Sequence, residues 1–556
     1  MKRLILVLAA LVFTGSAFLW TTLPDIDWRL YEMSILEESS PEKLQTHLNV
    51  LAHDSLSGRE TGLSGQRKAA AYLESFYQDL GLETVPGHES FRQTFHILAE
   101  QTDSLVVVLN GAPGSPLEGT TRFRLTPDSP SPWIPLFHHS GVLEGEIVFA
   151  GFGIQDPESG WTHLDGTDLQ NRWVLLFDDL PGSVRDQLPN GDRWTSGYRF
   201  SELIQTHNAL GVVVIGDESP EQYDVWMNHA REVIQKPRNA RLASQYPNST
   251  RSDAPKGYLK VSPDLAAQLL GLDGVQNLEN LRRDLADNGH QFEPRPLGST
   301  LRVEPHIQTR SLETENIAAW LPGSDSELND EAIILTAHYD HIGTGYPTTT
   351  GDGIFNGADD NGSGTVALMA IARSLQQTAR SGAVPHRSIL FLHLSGEEMG
   401  LLGSRYYSDH PLYPIEKSIV NLNADMIGSR STVGEKQGGE DAIYIIGADL
   451  VSADLDSLLV MANQEGPGLM LDRRFNDLQD SNQFYRRSDH WNFARLNIPF
   501  IFFFTGIHER YHDPLDHTET VDLEKLGKST RLIHATLLHV ANARTSPRMD
   551  RFLPPR

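Results

Sequence analysis

The chain has 556 residues, 39% hydrophobic and 21% charged, with 46 basic against 73 acidic side chains and a net charge of −27. That length exceeds one ordinary core and implies two or more domains, and the composition is that of a globular protein, not a disordered or polytopic membrane one. The acidic balance argues against a nucleic-acid partner, whose phosphates need basic surface. The absence of cysteine removes disulfides, thiolate ligands and a cysteine nucleophile.

At the start, Lys2-Arg3 precede an apolar run from Leu4 to Val12 and then Gly15-Ser16-Ala17. The pattern reads as an export signal cleaved after Ala17, or as a retained anchor, since apolar character continues through Phe18-Leu19-Trp20. It predicts a periplasmic or extracellular protein whose membrane contact is confined to residues 1–25. No other run approaches the ~20 apolar residues of a membrane span. From Pro41 to Leu82 two helices are expected. Leu44, Leu48 and Leu51 share one face of the first, and the second runs from Gln66 to Leu80 and stops at Gly81. The loop between them, His53 to Glu60, reads as a surface connection.

Residues 101–302 differ in character. Short β-like runs dominate, such as Ser104 to Leu109, Gly145 to Ala150, Trp173 to Phe177 and Gly211 to Ile215, with turn-rich stretches between them. Neither a helix–strand alternation nor a cluster of ligand types shows, so this segment reads as an inserted β-rich domain. Asn248-Ser249-Thr250 is a glycosylation sequon by pattern alone. Residues 26–100 and 303–545 would form the main, discontinuous domain, and 546–556 a tail. After Glu315 apolar strands recur at Ala332–Leu335, Ser388–Leu394, Ile419–Leu422, Ile443–Ile446 and Pro499–Phe504, with helical stretches such as Thr365–Leu375 and Leu450–Gln464 between them. That alternation predicts an α/β fold, a mainly parallel mixed sheet with helices on both faces.

Four of these strands end in acids or histidines: His338 and Asp340; Glu397-Glu398; Asp425; and Tyr511-His512. Open α/β folds keep their sites at this carboxyl edge. A further acidic pair, Asp359-Asp360, lies in a glycine-rich turn ahead of a helix. Without cysteine a metal must be held by His, Asp and Glu, which suits zinc, manganese or cobalt. A two-metal site needs a shared carboxylate, and Asp360 is preferred over Asp359 because it directly precedes Asn361-Gly362-Ser363-Gly364. Glu397 and Glu398 invite a division into a base and a ligand. His341 reads as a rim residue and His393 as a packed strand histidine. Asp489-His490 and Asp516-His517 would shape the site without ligating.

His338-Tyr339-Asp340, Asp359 to Gly364, Glu397 to Ser404, Asn423 to Ile427 and Tyr511-His512 resemble, in order, the motifs of the co-catalytic di-zinc aminopeptidase family. The inserted segment, with Phe149 to Ile154 and Leu169 to Leu176, looks like the protease-associated domain of many members. The resemblance implies two zinc ions, or cobalt or manganese: His338 and Asp425 would hold one, Glu398 and His512 the other, and Asp360 would bridge. It also implies Glu397 as general base, Asp340 as the carboxylate orienting His338, Tyr511 at the oxyanion and a cis peptide after Asp360. Peptides would be the substrates. The alternatives on the same fold are a carboxypeptidase or dipeptidase, a glutaminyl cyclase-like acyl transferase, and a non-catalytic receptor-like scaffold.

Overall fold

The structure is a computed structural model that describes residues 28–553 except 127–128, 130, 138–140, 167, 189–193, 195, 246–255, 289–291, 346–350, 430–440 and 481. The N-terminal export or anchor segment and the sequon therefore lie outside the described residues, as do part of the loop from Gly343 to Gly357 and the end of the tail. Among the described residues no helix is long and apolar enough to cross a membrane. Two compact units divide the chain. One comprises Met1–Phe95, Glu313–Gly343 and Ile354–Arg556, and the other His96–Leu312 with Thr344–Gly353.

The first unit is built on strands in the spatial order Met470–Asp472, Ala442–Gly447, Phe500–Phe504, Ser418–Ala424, Ala332–His338, Ser388–Leu394 and the C-terminal part of Arg295–Leu321. Four central strands are mutually parallel, and antiparallel neighbours flank them. The central strands are apolar on both sides because both faces are covered. Ile333, Leu335 and Ala337 join the core with helices Ser64–Leu80, Gly364–Arg380 and Leu523–Asn542. Ala332 and Ile334 pack instead with Tyr407 and Phe493, from helices Leu402–Asp409 and His490–Ala494. This is the expected α/β sheet. The parallel register aligns the strand ends: His338 pairs with Leu394, Thr336 with Asn423, and Ala424 with Phe503. His338, Glu397, Asp425 and the segment after Phe504 thus leave the sheet along one edge.

The second unit differs from expectation in its helices. Strands Leu143–Phe149, Trp173–Phe177, Gly211–Ile215 and Gly257–Val261 are parallel, with helix Ser196–Gln205 between the second and third and helix Pro220–Val233 between the third and fourth. A helix–strand alternation is therefore present where none was visible in sequence. Polar residues fill half of helix Pro220–Val233, and among its described side chains Tyr223, Met227, Ala230 and Val233 bury an apolar face. So sparse a stripe is easily overlooked beside strands that are buried throughout. Trp133, Trp161 and Trp173 anchor this unit's core at full burial.

Candidate metal centre

The turn carrying Asp360 is shaped by backbone constraints and by two polar side chains. Gly357 sits at φ +58°, and a Cβ there would come within 2.5 Å of the His341 ring, so only glycine fits. The Asp516 carboxylate accepts from the backbone N–H of Asp359 at 3.0 Å and of Asp360 at 3.1 Å. Asn361 then ties the turn to the neighbouring strand: its Nδ2 donates to the Ala424 carbonyl at 2.9 Å, and its Oδ1 accepts from Gly364 N at 2.9 Å and Met426 N at 3.3 Å. The Asp360–Asn361 peptide is cis.

These constraints bring the predicted ligand types together. His338 Nε2 lies 3.3 Å from Asp360 Oδ1 and 3.3 Å from Asp425 Oδ1. His512 Nε2 lies 3.2 Å from Asp360 Oδ2 and 3.2 Å from Glu398 Oε2. Asp360 therefore faces one imidazole with each of its oxygens. Asp359 turns away: its Oδ1 accepts from Gly428 N at 2.8 Å and its Oδ2 lies 3.3 Å from His508 Nε2. Asp425 is steadied by Ser488, whose hydroxyl donates to Oδ2 at 2.6 Å. Asp340 accepts from the Thr61 hydroxyl at 2.6 Å. Its carboxylate is 3.7 Å from His338 Nδ1, beyond hydrogen-bond reach, and the nearer acceptor for that nitrogen is the Asp340 carbonyl at 3.2 Å. Residue 340 thus meets His338 through its backbone more closely than through its acid.

Electrostatics mark the cluster as a place for positive charge. Burial alone would lower the His338 pKa, yet the charges of Asp425 and Glu397 hold it well above the usual imidazole value. His512 is pushed up to about 10 by Asp360 and Glu398 against its burial. The adjacent glutamates diverge. Burial and the Glu398 and Asp425 charges raise Glu397 well above the carboxylate range, and His338 opposes them. Burial and Asp360 push Glu398 up as well, but hydrogen bonds with His341 and His512 outweigh them and bring it to about 2. Neighbouring acids forced apart in this way are the pattern of a proton-transfer group beside a permanent anion.

The cluster opens on a pocket lined by Asp360, Glu397, Glu398, Asp425, Tyr511 and His512, with Met426, Phe484, Phe502, Phe504 and Ile507 as an apolar wall and Arg487 beside them. Tyr511 stacks on His512 at 3.8 Å between ring centroids. Among the described residues two groups of side chains offer ligand atoms within 4.8 Å of one another: His338 with Glu397 and Asp425, and His341 with Asp360 and Glu398.

Three features went unseen in sequence. The His53–Glu60 loop is not a surface connection: Arg59 is buried, and its guanidinium donates to the carbonyls of Tyr339 at 2.8 Å, Leu51 at 2.6 Å and Gly357 at 2.8 Å. It therefore clamps the backbone next to both His338 and Asp360. His341 is buried against Glu398 and does not line a rim. His508, four residues ahead of His512, was not singled out. The spacing of Arg59 from its partners in the chain left no local signal, whereas His341 followed the His-x-Asp pattern directly.

The stretch that carries the acid–imidazole cluster at the sheet's carboxyl edge, residues 316–537, matches Peptidase family M28. The matched stretch is under half of the chain and includes His338, Asp360, Glu397, Glu398, Asp425 and His512. Leucine aminopeptidase 2 of Trichophyton rubrum is 29% identical over 214 residues, 37% of this chain and 36% of that protein. A vacuolar membrane protease of Verticillium alfalfae is 30% identical over 129 residues, 23% of this chain and 11% of that protein. The match to the leucine aminopeptidases thus spans about a third of their length. The solved peptidase M28 precursor of Shewanella amazonensis SB2B shares the fold at a TM-score of 0.51 and 14% identity, covering 95% of this chain and 100% of that one.

Proposed function

We propose that the protein is a metal-dependent exopeptidase, an aminopeptidase that removes N-terminal residues from peptides. The carrying observation is the pair of imidazole–carboxylate contacts at 3.2–3.3 Å on either side of Asp360. Ligands of one tetrahedral ion bound at ~2.0–2.1 Å stand about 3.3 Å apart, so these spacings suit two cations sharing a carboxylate. His338 and Asp425 would hold one, Glu398 and His512 the other, and Asp360 both. Zinc is the assignment the motif resemblance implies, and the donor set admits cobalt or manganese equally.

When bound, the cations polarise the scissile carbonyl and acidify water. The chain's own groups do the rest. Glu397, as a carboxylate whose proton affinity burial raises, takes the proton from the attacking water as the carbon–oxygen bond forms. It returns that proton to the leaving amine as the carbon–nitrogen bond breaks. The Tyr511 hydroxyl donates to the developing oxyanion. The carbonyl of Asp340, whose acid is anchored by Thr61, orients the His338 ring through Nδ1. The apolar wall accepts the side chain of the residue being released.

The N-terminal pattern of Lys2-Arg3 and Leu4 to Val12 supports export, and the resemblance of Phe149 to Ile154 and Leu169 to Leu176 supports a protease-associated insertion within residues 101–302. The test of the activity is hydrolysis of a panel of free and N-terminally blocked peptides. Free peptides are expected to be cleaved from the amino end and blocked ones spared; cleavage of blocked peptides alone overturns the assignment.

A further inference from the structure

The buried imidazole of His341 belongs to neither ligand pair. Its Nδ1 lies 2.7 Å from Glu398 Oε1 and 3.9 Å from Asp360 Oδ2. The first distance is that of a hydrogen bond to a carboxylate, and the second is too long for one. Neither matches the 3.2–3.3 Å that separates His338 and His512 from their carboxylates. Spacing alone therefore divides the three histidines into two that face shared-ligand positions and one that holds a ligand from behind.

The ring is also fixed in place. His341 N donates to the Arg59 carbonyl at 3.3 Å, the ring fills the space a Cβ on Gly357 would need, and it makes a T-shaped contact with His512 with centroids 5.7 Å apart. Its Nε2 is buried without a hydrogen-bond partner among the described residues. No competing acceptor draws the proton to Nε2, so the bond to Glu398 selects the Nδ1–H tautomer.

We propose that His341 is a positioning residue for the metal held by Glu398 and His512. Its Nδ1–H occupies Glu398 Oε1, which leaves Oε2 turned to His512, and it thereby sets the affinity of that one site without ligating. The inference rests on the two-metal reading above. Outer hydrogen-bond partners of metal ligands typically change metal affinity 10–100-fold, and the change here would fall on one ion of the two.

The test is zinc binding to the full chain, followed by competition with a chromophoric chelator, in wild type, His341→Ala and His341→Asn. Thermal unfolding of the metal-free proteins serves as the check on folding. The wild type is expected to hold two ions. His341→Ala is expected to keep one at wild-type affinity and to bind the other about 10–100-fold more weakly. The Asn variant, whose amide can donate in place of Nδ1, is expected to recover most of that loss. Equal weakening of both ions, or two ions at wild-type affinity in His341→Ala, overturns the assignment of His341. A wild type that fails to take up two ions overturns the two-metal reading itself, so the two failures are distinguishable.

Discussion

Both units run parallel strands into acidic residues, yet only one gathers a metal-type cluster. In the first unit the strand ends carry Glu398, Asp425 and their neighbour Asp360, and each faces an imidazole. In the other unit strands Trp173–Phe177 and Gly211–Ile215 end in Asp178-Asp179 and Asp217-Glu218. There Glu218 is paired with the buried ammonium of Lys260, which also lies 4.0 Å from the centroid of the Trp226 ring, and Asp178 lies 4.0 Å from Arg199. Among the described residues no group of ligand atoms converges in that unit. The lesson concerns the counter-group. A lysine or arginine satisfies a buried carboxylate permanently. An imidazole can give up its proton and offer a lone pair instead, leaving the acid free to share a cation.

The largest effect that would sharpen this contrast falls on Glu397. Glu397→Gln is expected to keep its bound metal while turnover drops about 10²–10⁴-fold; steady-state kinetics beside metal analysis would show it, and unimpaired turnover would remove Glu397 from the mechanism. In the other unit Lys260→Met should leave activity intact and destabilise by about 3 kcal/mol, because Glu218 loses its partner. Chemical denaturation measures that value. A variant that gains stability would show that the pair is replaceable by packing.

Histidines that serve only the core make the same point through pH. His490 lies between Phe500 and Phe502, with centroids 4.8 and 4.7 Å away, and burial lowers its pKa from 6.5 to about 3. The unfolded chain therefore binds a proton that the folded one refuses. The resulting stability is present above pH 6.5 and fades as pH falls toward 3, by up to about 1.4 kcal/mol per pH unit. Thermal melts across that range should be less pH-dependent in His490→Leu than in wild type. An unchanged dependence would mean that the ring is charged when folded. The smallest effect is expected at Asp359, whose carboxylate serves Gly428 and His508. Asp359→Asn should lower stability by about 1 kcal/mol and turnover less than tenfold; a loss as large as that of Glu397→Gln would move Asp359 into the reacting set.

Strand Ser388–Leu394 was legible to the residue, and helix Ser64–Leu80 with its stop at Gly81 nearly so. Their signals are local: an unbroken apolar run and a periodic face closed by a left-handed glycine. Helix Trp28–Glu38 was overlooked because only Tyr31 and Ile35 of its apolar residues are buried. Helix Leu523–Asn542 buries residues along most of its length, so its apolar and polar faces are not sharply separated in sequence. Around the site, residues in contiguous motifs such as His338 and Glu397-Glu398 could be found from sequence. Asp516 could be placed near the site but its contacts could not, and Arg59 could not be found at all, because they act on the backbone of segments 156 and 298 residues away. Nothing in a linear pattern states which carbonyl a buried guanidinium will meet.

The central claim is that the imidazole–carboxylate cluster around Asp360 holds two catalytic cations. Mass-spectrometric metal analysis of the purified protein, run beside hydrolysis of an amino-acid p-nitroanilide, tests it most directly. The account predicts two divalent ions per chain, loss of turnover on chelation with recovery on adding zinc, and loss of both ions in Asp360→Asn. Full turnover in protein that carries no metal, or in Asp360→Asn, would contradict it.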